Sequence, residues 1–208
     1  MMGIRQTTCT DIALVEIGVP GAVAEIRTTQ KEFLLKMMAR RTYRGSYLDR
    51  IITQAIACRT KSGIIIEDIL LHPNTDFASD ALESAKHRLL SSPTSKRVTY
   101  CELNPELHVH DVYTAHDIPE HHRIAFTRLR TSSHNLKIET GRWARIPREL
   151  RTCACSASQL QTEEHMILTC PLLNDVRLPQ LTSVSDFFDS DARAISHFCY
   201  VLQTRSNV

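Results

Sequence analysis

Glycine and proline are scarce, six and eight in 208 residues, which argues against a chain dominated by low-complexity disorder. No run of eighteen apolar residues occurs, so no membrane-spanning helix is expected. The first ten residues lack the apolar core of a secretory signal, and no N-glycosylation sequon is present. Metalloprotease H-E-x-x-H, nucleophile-elbow G-x-S-x-G, P-loop and G-x-G-x-x-G patterns are all missing. These absences remove the commonest hydrolase, nucleotide-binding and dinucleotide-binding readings. Seven cysteines are too few and too scattered for a disulfide framework, since Cys9, Cys58, Cys101 and Cys199 stand alone. A reducing intracellular compartment fits this usage, and there clustered thiols are better read as metal ligands.

Three cysteines do cluster. Cys153, Cys155, His165 and Cys170 form C-x-C-x9-H-x4-C. Three thiols and an imidazole in one short stretch match the donor set of a closed, structural zinc site. Two cysteines on a tight knuckle over 153–157 supply one edge of a tetrahedron. A short helix over 162–168 presents His165, and Cys170 follows at its end. Glu163 and Glu164 are placed to orient the imidazole or to cap that helix.

Charge is uneven. From Pro119 to Arg151 eight basic residues (Arg123, Arg128, Arg130, Lys137, Arg142, Arg145, Arg148, Arg151) face Glu120, Glu139 and Glu149. That band carries +5 in a chain whose formal net charge is +2. A cationic band beside a cysteine–histidine site favours a polyanionic partner, RNA or DNA. Arg123, Arg128, Arg130, Arg142, Arg145, Arg148 and Arg151 are the candidate phosphate contacts, because guanidinium forks match phosphate oxygens. Trp143 and His134 can stack on unpaired bases; for Trp143, packing against the zinc module is the preferred expectation. His108, His110, His116, His121 and His122 also crowd together. On a strand His108 and His110 would share a face, which leaves a metal-dependent hydrolase as an alternative.

Apolar periodicity predicts a mainly α chain. Helices are expected at 10–17, 22–41, 46–58 and 76–91, with 64–71 ambiguous between helix and strand. Leu48, Ile51, Ile52 and Ala55 are expected inward on the third. The serine-rich stretch Ser91–Ser95 reads as a linker, dividing a helical bundle-like region (1–92) from an arginine-rich helix and zinc-knuckle region (93–208). In the latter a helix starts near Pro119 and stops near Ser132, 141–150 is loop, and a last helix covers 191–205 with Ile195, Phe198, Cys199 and Leu202 inward.

The stretches Arg123–Arg130, Ser133–Leu136, Glu139–Trp143, Arg151–Cys155, Glu164–His165 and Leu168–Pro171 resemble the C-terminal end of LINE-type (non-LTR) retrotransposon reverse transcriptases. The resemblance is strongest over residues 94–178. Glu16–Pro20, before a helix carrying Lys31 and Phe33, is similar to the connector after the polymerase thumb in that family. The resemblance implies a post-polymerase helical region followed by a CCHC knuckle at Cys153, Cys155, His165 and Cys170 that helps bind template RNA or target DNA. The Y-x-D-D aspartates of the polymerase are absent and about forty residues follow Cys170. The chain is therefore expected to be a non-catalytic C-terminal fragment, with the rest of such a polyprotein as a further partner. A nuclear site follows from the resemblance alone. A structural or protein-interaction module with a stabilising zinc is the alternative.

Overall fold

The computed structural model describes residues 8–40, 43–92 and 94–206. The fold is mainly α, as the apolar periodicity predicts, with one two-stranded sheet among the described residues. No helix among them is long and apolar enough to cross a membrane. Packing separates two compact units: Val19–Ala85, and the residues up to Gly18 together with those from Lys86 onward.

The Val19–Ala85 unit holds α2 (Ala22–Met38), α3 (Tyr47–Ala57), α4 (Lys61–Leu71) and the first part of α5 (Phe77–Ser91). The ambiguous apolar run at 64–71 is helical. Thr60 caps α4 by accepting from the Gly63 amide, and Ser46 caps α3 by accepting from Asp49. Leu34, Tyr43, Ile52 and Ile69 form its small core. Ile52 is buried as expected, but Leu48 and Ile51 are exposed. With few residues to fill the interior, only one row of α3 is covered. Arg41, expected on α2, lies outside the described residues, and α2 ends at Met38.

The other unit begins with α1 (Thr10–Ile17), closed by Gly18 in the left-handed region at φ 63°, its amide returning to helix carbonyls. It continues with α6 (Ser95–Leu103), α7 (Glu120–Arg130), α8 (Lys137–Trp143), the hairpin β1 (Thr152–Cys153) and β2 (Ser156–Leu160), α9 (Val184–Phe188) and α10 (Ala192–Arg205). Only three residues separate α5 from α6, so the Ser91–Ser95 stretch is a helix joint; Pro93 lies outside the described residues. Part of the expected loop at 141–150 belongs to α8. α7 packs on α10, with Phe126 and Leu129 sharing a core with Ile195, Phe198, Cys199 and Leu202. The α7–α10 pair is pinned by Gln203 Nε2, which donates to the Ala125 carbonyl at 2.8 Å. Phe187 and Phe188 of α9 complete that core, edge-on to Phe198 and Phe126. Cys153, Met166, Ile167, Cys170 and Leu173 belong to the same core. The cysteine–histidine segment is thus built into the main hydrophobic interior.

Candidate metal centre

β1 ends at Cys153, the chain turns through Ala154 and Cys155, and β2 begins at Ser156, where Cys153 pairs with Ser156. This tight turn puts two thiols on one side of the hairpin. Residues 165–169 form a wide, π-type helical turn in which the Cys170 amide donates back to the His165 carbonyl at 2.7 Å. That turn aims His165 and Cys170 at the hairpin. One donor atom from each of Cys153, Cys155, His165 and Cys170 lies within 4.8 Å of every other. Cys153 Sγ and Cys170 Sγ are 3.7 Å apart, and Cys155 Sγ is 3.2 Å from His165 Nε2. The four side chains could hold a metal ion, and among the described residues no other group of three or more such side chains converges.

Local bonds fix the ring. His165 Nδ1 meets Thr169 Oγ1 at 3.0 Å, and the His165 amide donates to Thr162 Oγ1 at 3.1 Å. Nε2 is therefore the nitrogen turned to the thiols. Sequence reasoning offered Glu163 or Glu164 as the orienting group, but Thr169 holds that position. Glu163 instead accepts from His134 Nε2 at 2.8 Å, and that bond, acting against the cost of burial, holds its carboxyl below the usual range. Burial, reinforced by the neighbouring thiols, pushes the Cys155 thiol up to about 12, and burial raises Cys170 as well. Burial, then Arg177, lowers the His165 imidazole and keeps a lone pair on it. The Cys155 and Cys170 thiols resist ionisation without a cation beside them, and the neutral ring is ready to donate. Four protein donors leave no open position, so the arrangement suits a structural ion.

The seven candidate arginines separate into different roles. Arg130 is buried against Glu16, Nε to Oε2 3.1 Å. Arg123 donates to the Val112 and Ala115 carbonyls, and Arg151 to those of Ile146 and Ile138. Arg142 pairs with Glu139 at 2.8 Å, Arg128 is half-buried on α7, and Arg145 and Arg148 are exposed. Lys96, Arg142, Arg148 and Arg151 line a groove of about 360 Å³, opposed by Glu139 and Glu163. Lys96, on α6, falls outside the band that charge counting picked out. Trp143 is 51% exposed rather than packed away, with Lys96 and Arg142 cations 5.7 and 5.5 Å from its ring centroid. His134, in contrast, is fully buried and not available for stacking.

Among the described residues, the histidines crowded between 108 and 122 do not assemble into a metal site. His110 Nε2 meets the Phe188 carbonyl at 2.7 Å and its Nδ1 accepts from the Val112 amide, so no ring nitrogen remains for a metal. His108 is exposed and does not join it. His121 and His122 sit with His197 and Tyr200 in a surface aromatic cluster between α7 and α10. Comparison with family models, curated proteins and solved structures finds no match to this chain.

Proposed function

We propose that the chain is a non-catalytic, zinc-stabilised module that binds RNA or DNA, of the kind that follows the polymerase in LINE-type reverse transcriptases. The convergence of Cys153, Cys155, His165 and Cys170 carries the reading. Zinc fits the donor chemistry: thiolates ~2.3 Å from a tetrahedral ion lie about 3.8 Å apart, close to the 3.7 Å between Cys153 and Cys170. The ion would tie the β1–β2 hairpin to the 165–169 turn. It would thereby fix Arg151, which leads into β1, and the groove that Arg151 shares with Lys96, Arg142 and Arg148. An exposed tryptophan beside these cations is the combination that takes single-stranded nucleic acid, by stacking and phosphate pairing.

Two measurements test this. Elemental mass spectrometry should find about one zinc per chain in wild type and none in Cys153→Ser/Cys155→Ser. Zinc-free, folded wild type removes the metal. Binding to a short single-stranded RNA and its DNA counterpart should weaken with salt, and more than tenfold in Arg145→Glu/Arg148→Glu with the helical content unchanged. Unchanged binding in that variant leaves the alternative, a module in which zinc only stabilises a protein-interaction surface. The internal employment of Arg123, Arg130 and Arg151 favours that alternative.

A further inference from the structure

A cavity of about 630 Å³ lies away from the metal centre, between the α6–α7 connection and the start of α10. Its volume falls within the ~300–1,000 Å³ of small-molecule sites and far exceeds the ~30 Å³ share of one water. Arg130 forms part of its wall and is 1% exposed. Its Nε approaches Glu16 Oε2 at 3.1 Å without hydrogen-bond alignment, and both Nε and Nη2 are left with no acceptor. Glu16 itself is engaged elsewhere, accepting from the Tyr113 and Tyr100 hydroxyls at 2.7 and 2.8 Å. The guanidinium lies 5.8 and 5.7 Å from the ring centroids of Phe126 and Phe188. A desolvated guanidinium with unused donors calls for an oxygen acceptor.

The mouth of the same cavity has the opposite character. Glu106, Asp111 and Asp189 line it and are exposed, as is Asp191, one of whose oxygens caps α10. A simple anion entering would meet these carboxylates first, and a simple cation would meet Arg130 at the wall. Leu103 and Phe188 supply apolar lining between.

We propose that this cavity binds a small ω-amino carboxylate, its carboxylate on Arg130, its aliphatic chain along Leu103 and Phe188, and its ammonium among the acidic residues at the mouth. The inference does not depend on the metal centre or on nucleic-acid binding.

The test is calorimetric titration and ligand-observed NMR on the full chain with 6-aminohexanoate, acetate and n-butylamine. 6-Aminohexanoate should bind at least about tenfold more tightly than either half-probe. Because Arg130 also holds the fold, the variants leave it in place. Ala192→Trp, at the start of α10 where it lines the cavity, should abolish binding by filling the space. Glu106→Gln/Asp189→Asn, on the surface, should weaken 6-aminohexanoate about fivefold or more without weakening acetate. Absence of 6-aminohexanoate binding at tens of millimolar, equal affinity for acetate, or undiminished binding in both variants overturns the proposal.

Discussion

Removing the Arg130 side chain tests the difference between an arginine that reads phosphate and one that holds a core. Both partners of the Glu16–Arg130 pair are withdrawn from water, with side chains 0% and 2% exposed. Arg130→Met keeps the aliphatic stem and leaves Glu16 buried without a cation, a loss of about 3–5 kcal/mol. For a chain of this size that is roughly 6–20 °C in melting temperature. Burial already raises the Glu16 carboxyl, against the pull of Arg130 and the two tyrosine hydroxyls. A folded-state carboxyl pKa above the unfolded value means that the ionised form opposes folding, so stability is lost as pH rises through the folded pKa. The deficit of Arg130→Met relative to wild type should therefore be largest near pH 8 and shrink toward pH 5, since acidification favours the protonated form of Glu16. Glu16→Gln/Arg130→Met removes both charges and keeps a polar partner for the tyrosines, and it should recover most of the loss. Urea unfolding followed at Trp143, which lies in the same unit, reads all three chains at both pH values. A single variant within about 1 kcal/mol of wild type, or one whose deficit grows on acidification, refutes the argument.

Two further outcomes follow from local packing. A Cβ on Gly63 would run into the backbone carbonyl of Ala55, so Gly63→Ala must push α4 from α3; it should cost at least about 1–3 kcal/mol, and an unchanged urea midpoint by circular dichroism contradicts that close approach. Burial, then His121 and His197, lowers the His122 imidazole, and Tyr200 is the other ring against it. The neutral form is favoured in the fold, so this contribution is present above the ordinary histidine pKa and lost as pH falls below it. His122→Gln should flatten the wild-type loss of stability between pH 7.5 and 5.5, and an equal or steeper slope in the variant shows that the cluster does not matter.

Much of the helical order is written locally. α10 repeats Ile195, Phe198, Cys199 and Leu202 at helical spacing, and all four are fully buried. α8 escaped notice because it has seven residues and contains Gly141. That glycine is there for its neighbour: a Cβ would meet the Arg151 side chain at 2.8 Å. The exposed Leu48 and Ile51 show the opposite failure, since apolar period alone does not say how much of a helix face a small unit can cover. α1 looked like a short first helix with no particular destination. Its destination is set by Glu16 meeting Arg130 and by Asp11 meeting Arg88 and Arg97, pairings between distant positions that no period encodes.

The same division between local and distant governs the sites, and it changes what binding should look like. The four candidate metal donors lie within eighteen residues, so spacing alone points to a cluster that the fold does bring together. The arginines looked equivalent because their partners, backbone carbonyls and Glu16, come from elsewhere in the chain. Of the seven, Arg130 is buried beside Glu16 in the core, and Arg123 and Arg151 hold carbonyls. The cations best placed for phosphate are Arg142, Arg145 and Arg148, beside Trp143; Lys96 is held by the Ser132 carbonyl at 3.1 Å and by Glu139 at 3.5 Å. For a single strand each phosphate contact contributes about −0.7 to the slope of log K against log salt concentration. Three contacts give about −2, whereas all seven arginines would give about −5. A measured slope near −5 would mean that the arginines used in the fold are released on binding, and the assignment of Arg123, Arg130 and Arg151 to structure would fall with it.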